Sequence, residues 1–417
     1  MYDADLQLMI SRISDAAIGS SLAHLGFEPD GLGGYVREYA EYVELSIDYR
    51  KDRIPAGGSN VNLPVDATLR GGEQFNPGEI FSYWHDTIRA LFETFRDIPD
   101  PAEYEHYLES LLGAMGQMSN GATTESHYQG ANVDLADMET ADDYLTLWTG
   151  ATASAFKENY SSKFPLVHAG QYHVLRMVYV CLLAEQGLWR QVRADVTAIA
   201  DGSLIPMEAA RPQTGSLTWS RVLKAVGVVA GIVAPFVGGA VATVVGAVRT
   251  GAGVLSSFAV SDPTTERDAE VGGGHPNDVY AAMADVVDRL RLDIERSERD
   301  LAAQLEAVLD HMVSTPESFY LQRPGTLIGA VDPTEVYSPH DEISLDTATM
   351  MKVGKIWLPH VAEIVHDAAT GVEAGIDQRI FTRDSGIGMG TFGPYTSWAS
   401  LARHLAHLME HGVGYAV

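Results

Sequence analysis

Apolar residues recur at helical spacing along most of the chain. Over 3–25, DLQLMISRISDAAIGSSLAHL sets apolar side chains three and four apart, and 35–48 reads the same way, so both stretches are predicted helices. The Gly-, Pro- and Asn-rich run RIPAGGSNVNLPVDATLRGGEQFNPGE then predicts a long connection or small irregular lobe. The helical period returns over 77–118 in IFSYWHDTIRALFETFRDI and EYEHYLESLLGAMGQM, divided by the breaker DIPDPAEY. A further tract, QYHVLRMVYVCLLAEQGLWRQVRADVTAIA, is apolar on more than one side, as suits a central bundle helix. Residues 201–218 read as a linker by composition.

The cleanest signal starts at Pro276. Val279, Met283, Val286, Leu290, Ile294, Leu301, Leu305, Val308 and Met312 follow at steps of mostly three or four, with Ser297 filling the gap. Charges of both signs lie between them, as in DRLRLDIERSERD, which suits the solvated side of a long helix. The expectation is one helix of about 35 residues, roughly 50 Å long, packed on at least one partner helix. The last hundred residues hold a turn-rich stretch, the helix LDTATMMKVGKIWLPHVAEIVHDAATGVEAG, the glycine cluster DSGIGMGTFGPYTSW and a terminal helix.

No run of alternating segments with hairpin turns stands out. The predicted fold is therefore mostly α: an elongated multi-helix bundle with helical hairpins, a glycine-rich apolar hairpin and one long helix near 276–313. The expected organisation is a helical region with an irregular connection (1–75), a bundle with a helical hairpin (76–200), a linker and glycine-rich segment (201–274), the long helix (275–315) and a C-terminal helical region (316–417).

Composition narrows the partners. With 56 acidic against 28 basic residues the formal charge is −28, a surface that repels phosphate backbones and anionic headgroups, so nucleic acid is excluded as an expected partner. The single cysteine, Cys181, lies in the apolar run VYVCLL, reads as a small buried hydrophobe, and permits no disulfide within the chain. MYDADLQLMISRI opens with two aspartates where a secretory signal would be basic, so any export is expected by a route that removes no such signal.

Between two predicted helices stands LWTGATASAF, from Leu147 to Phe156. A tight turn between antiparallel helices needs a residue that tolerates positive φ, which Gly150 supplies, and the indole of Trp148 can then cover the open end of the hairpin. Ala151, Ala153 and Ala155 let the second helix start close to the first. Helix, LWTG and an Ala-rich start leading to Phe156 and Tyr160 resemble, over about 136–199, the WXG family of helical hairpins exported by type VII (ESX) secretion systems. The C-terminal VGKIWLPHVAEIVHDAA and GIGMGTFGPYTSWASLARHLAHL resemble small ESX-associated proteins through Gly386, Gly388, Gly390, Phe392, Gly393 and Trp398. The resemblance implies a non-enzymatic helical protein, secreted or at the cell envelope, that binds a helical protein partner or itself. The chain departs from the family in having a hundred-odd residues before the hairpin. Nor does a Tyr followed four residues on by an acid stand just after the second helix, so a partner would have to supply the export signal.

From Ala225 to Val248, AVGVVAGIVAPFVGGAVATVVGAV carries no charge and exceeds the roughly 20 residues that span a bilayer. Gly227 and Gly231 are four apart, and Gly239 and Gly246 seven apart, which places small residues on one helical face for close packing in lipid or protein. Pro235, followed by Gly238 and Gly239, divides the tract into halves too short to cross alone. Three readings follow: a buried helical hairpin, membrane insertion after a conformational change, or a permanent anchor.

Chemistry-bearing patterns are weak. His404, His407 and His411, with Glu410, share a helical face that reads as solvated, and His360, Glu363 and His366 miss the separation of four that two helical zinc ligands need. GIGMGTFG has neither the preceding strand nor the helix offset of a nucleotide loop and reads as a flexible turn. No catalytic residue, cofactor or metal is expected. The leading expectation is a helical protein of the type VII class acting through helix–helix interaction. The alternatives are a membrane-perturbing or pore-forming protein that inserts 222–258, which makes membrane lipid a partner, and an intracellular, cytoplasmic scaffold or injection-machine component.

Overall fold

Two long helices form the spine of the molecule. The computed structural model describes residues 2–29, 31, 34–39, 42–47, 67–68, 74–118, 132–145, 148, 151–212, 217–223, 267–320, 347–383 and 387–413. Within these the chain is a mostly α, multi-helix bundle. Its helices are α1 (Tyr2–His24), α2 (Pro77–Glu93), α3 (Glu105–Gln117), α4 (Asp137–Leu145), α5 (Ala151–Phe156), α6 (Phe164–Ala209), α7 (Pro276–Ser314), α8 (Thr347–Lys352), α9 (Leu358–Ala374) and α10 (Tyr395–Val413).

The 46 residues of α6 make a rod of roughly 70 Å, and its apolar residues are buried on several sides, as the sequence predicts. The 39-residue α7 starts at Pro276 after the cap residue His275, whose side chain accepts from the Asn277 amide. It runs antiparallel to α6, because His275 lies near the end of α6 through His24 and Ala210, Glu298 near Glu185, and Phe319 beside Gln171. Ser297, in the gap of the apolar stripe, is buried too. Alongside the C-terminal half of α6 runs α1 in the same direction, with Arg193 over the Tyr2 ring and the Ser20 hydroxyl donating to the Met207 carbonyl. Helix α2 covers α1, α3 lies between α6 and α9, and α10 closes on α6, α7 and α9. Buried side chains from all of these form one continuous core, so the five stretches read from the sequence share it rather than each enclosing their own.

Two sequence expectations are overturned. Residues 35–48 are not a helix: β2 (Tyr35–Tyr39) and β3 (Tyr42–Ile47) pair antiparallel, with β1 (Glu28–Pro29) on the other edge of β2. Tyr35, Val36, Tyr39, Tyr42, Val43 and Ile47 are the β-branched and aromatic types that suit a pleated surface, and the helical spacing was incidental. A register shift at Arg37/Glu38 obscures the alternation. Short strands β4 (Ala67–Thr68) and β5 (Gln74–Phe75) pair just before α2.

Nor is 201–218 a linker. Helix α6 continues through Gly202 and Pro206 to Ala209, with Leu204, Met207 and Ala210 buried and the Ser203 hydroxyl donating back to the Ile199 carbonyl. Burial outweighs the local cost of Gly and Pro here. Strand β6 (Leu217–Leu223) then pairs antiparallel with β7 (Arg267–Gly273), in unbroken register from Leu217↔Gly273 to Leu223↔Arg267. This two-stranded ribbon sits on α6 through the indole of Trp219, which lies directly against Gly202; an added Cβ there would come within 2.1 Å of the ring. Val271 is buried on the same side. The glycine-rich segment, with Gly227, Gly231, Pro235, Gly238, Gly239 and Gly246, lies outside the described residues.

The closeness of Trp219 makes a direct test. Gly202→Ala adds helix propensity but must displace the indole, and is expected to cost about 1–3 kcal/mol in urea unfolding with a shift in tryptophan emission. Gly113→Ala in α3, where a Cβ meets open space, is expected to gain about 0.5–1 kcal/mol instead. Equal effects at the two glycines would refute the docking described here.

Candidate functional site

The C-terminal glycine cluster is shaped around a buried ion pair. Arg383, fully buried, faces the equally buried Glu298 of α7, with Nη1 at 2.6 Å from Oε1 and Nη2 donating to Oε2 at 2.7 Å. The same arginine donates from Nε to the Gly390 carbonyl at 2.8 Å and from its backbone amide to the Thr391 carbonyl at 3.0 Å. Glu298 Oε2 also accepts from the Met389 amide at 2.7 Å. The turn is thus held from below by one guanidinium and one carboxylate. Its backbone can follow them only because glycine stands at two tight places: Gly388 and Gly393 have positive φ, and a Cβ there would meet Glu298 Oε2 at 2.0 Å and Arg383 Nη2 at 2.8 Å.

On the α6 side the guanidinium lies over the Trp189 ring at 4.7 Å. Trp189 Nε1 donates to Glu185 Oε1 at 2.7 Å, while among the described residues no group donates to Oε2. Burial first, and Glu298 second, push the Glu185 carboxyl well above the usual carboxylate range, against the pull of Arg383. The same surroundings favour its protonated, neutral form. The cluster is then one cation and one anion, and the proton lets the two carboxyls share a hydrogen bond instead of repelling. Burial likewise keeps the neighbouring Tyr104 hydroxyl and the Cys181 thiol, one turn from Glu185, in their protonated forms. Both sides of the cluster are closed by the protein's own groups, so its chemistry is that of a fixed, desolvated lock rather than of an open acid–base pair.

The sequence-predicted residues fall as follows. Gly388, Gly390 (φ +95°) and Gly393 shape the turn, Phe392 stands 41% exposed on its outer side, and Trp398 is buried with Nε1 donating to the Val178 carbonyl of α6. Far from being a flexible turn, 387–393 is bonded into the core. Trp148 lies in the break between α4 and α5, half-buried. Its amide donates to the Leu145 carbonyl, its own carbonyl accepts from Lys157 Nζ at 3.0 Å, and its ring stands 5.8 Å from Phe156. Gly150 and Gly386 lie outside the described residues. A π-helical turn, Lys157–Ser161, follows α5, and a second, Val353–Trp357, precedes α9; α4 packs on both.

Of the histidines, His360 Nδ1 meets Asp137 Oδ2 at 3.0 Å and His366 lies 3.9 Å from Glu410. Among the described residues no group of three His, Cys, Asp or Glu side chains is placed to hold a metal, and no helix is long and apolar enough to cross a membrane. Glu185, Glu298 and Arg383 escaped the sequence reading. The available signal was an ionisable residue in the buried register: Glu298 falls between Ile294 and Leu301 on the apolar stripe, and Glu185 inside CLLAEQGLW. Comparison of the chain with protein-family models, with curated proteins and with solved structures finds no match.

Two outcomes follow from the lock. The folded state binds the Glu185 proton more tightly than the unfolded chain does. The stability this contributes is complete below the unfolded carboxylate range and is lost as pH rises toward the folded value. Glu185→Gln, which keeps a donor for Glu298 without the acid, is expected to match the parent near pH 4.5 and to exceed it by more than about 1 kcal/mol at pH 8 in urea titrations; parallel pH profiles would contradict the protonated assignment. Arg383→Met, which strands Glu298, is expected to lose about 3–5 kcal/mol, and Glu298→Leu added to it is expected to recover most of that loss.

Proposed function

We propose that the chain is a non-enzymatic helical protein of the type VII secretion class that acts at the cell envelope, presenting the apolar insert 224–266 to lipid on the β6–β7 ribbon. The observation that carries this reading is the register of the ribbon. Leu223 and Arg267 are paired, so an insert whose first half is uncharged from Ala225 to Val248 begins and ends at neighbouring positions of one ribbon. A segment destined for a bundle core needs no such stalk, whereas one that must reach an apolar surface apart from the body does. Support for the export route comes from the residues around Trp148 and from the turn at Gly388–Trp398, which resemble the two ESX-associated patterns.

A second reading, docking of a helical protein partner or of a second copy, has its own support. Tyr144, stacked on Trp357 with centroids 5.0 Å apart, is half exposed beside the exposed Met351 and Ile356 near the α4 break. Aromatic and methionine side chains of this kind are enriched where proteins meet.

The readings part in a vesicle experiment. Purified protein is expected to release dye from phosphatidylcholine vesicles, and Gly231→Glu with Gly239→Glu to abolish release without changing the far-ultraviolet spectrum. Absence of both lipid binding and release from pH 5 to 8 would exclude the first reading and leave the second. Presence of the protein outside cells when the secretion motor is inactive would exclude the export route.

A further inference from the structure

Three helix ends meet at the foot of the ribbon, and two imidazoles join them. His275 ends the turn after β7 and caps α7, its Nδ1 accepting from the Asn277 amide at 3.2 Å. His24, exposed at the end of α1, stands against it with ring centroids 4.4 Å apart, and its Nε2 bonds the Ala210 carbonyl at 3.1 Å, just past the end of α6. The ribbon strands β6 and β7 leave from this corner. Gly272 and Gly273 are pressed against Thr218 and against Asp278 and Val279, so any shift of His275 is transmitted to the paired strands.

We infer that His24 and His275 form an acid-sensitive latch that fastens the ribbon to the helical body. The cap works only while Nδ1 of His275 carries no proton, since a protonated imidazole has two donors and nothing to accept with. A cation at that position also opposes the positive end of a 39-residue helix. A second proton, on His24, places like charges in facing rings.

Several other charged or titratable groups face this corner. Asp278 in the first turn of α7 is the acid nearest the cap, and Glu270 lies further up β7. Arg211 follows Ala210; Arg37 reaches toward Gly26, two residues past His24; Glu28 follows on β1. Tyr35 lies by Arg211 and by Asp15 of α1, and Tyr83 of α2 lies by Tyr280 of α7. Asp278 offsets one charge of the protonated pair. The latch is therefore closed with both imidazoles neutral and opens when acid protonates them. Opening frees the ribbon without touching the Glu298–Arg383 lock near the middle of α7. The latch stands on the geometry alone; the delivery of the insert to lipid in acid rests on the reading proposed above.

Hydrogen exchange of the full-length chain, corrected for the intrinsic pH dependence of exchange, tests it. Protection in peptides covering 217–223 and 267–279 is expected to fall at least tenfold between pH 7.5 and 5.5, while α3 stays protected. His275→Asn keeps a good capping acceptor that does not titrate, so it folds and is expected to show no acid response; His24→Asn is expected to show a reduced one. An unchanged parent ribbon, or the full response in either variant, overturns the latch. Loss of protection in acid without dye release sinks the membrane reading and leaves the latch, whereas dye release with a fully protected ribbon does the reverse.

Discussion

The arrangement of the long helices depends on one buried contact, that between Glu298 and Arg383. Two ionised side chains with no exposure are stable only when each meets the other in good geometry and the remaining donors and acceptors are filled. Here the Gly390 carbonyl accepts from the guanidinium and the Met389 amide donates to the carboxylate, while the Trp189 ring faces the guanidinium. They belong to the C-terminal turn and to α6, and Glu298 to α7. A slip of α7 against the C-terminal turn by one helical turn would leave a desolvated charge unpaired. The contact therefore specifies register more than it adds stability, and the proton on Glu185 allows a second carboxyl in the same place.

Fixing the register of α6 against α7 fixes where the ribbon begins. Antiparallel helices locked at Glu185 and Glu298 bring the end of one and the start of the other to a single corner. The strands leaving that corner are paired from Leu217 and Gly273 onward because their origins are already adjacent. The close contact of Trp219 with Gly202 then orients the stalk.

How much of this the sequence revealed depended on whether a local pattern and the tertiary environment agreed. In α7 they agree: an apolar stripe, a proline at the first helical position and mixed charges outside led to bounds within a residue of those observed. Over 35–47 they conflict, since spacing suggested a helix while residue types favoured strands, and pairing with a neighbouring strand decided the matter. At 201–209 glycine and proline signalled a break that burial of Leu204 and Met207 overrides. The C-terminal turn was legible as a turn from Gly388, Gly390 and Gly393. Its reason was not, because Glu298 lies 85 residues from Arg383 in the chain and no local pattern pairs them.

The two fastenings differ in kind, and the difference limits how the molecule can change shape. At the lock, opening would expose an ion pair, a tryptophan and the core around Trp398 together, so it amounts to unfolding. At the foot of the ribbon the fastening includes the Trp219 indole, the buried Val271 and two imidazoles within reach of water. Segments with few buried apolar contacts open at a small fraction of the global free energy. On the proposed latch the ribbon leaves the body while α6, α7 and the C-terminal turn stay in register.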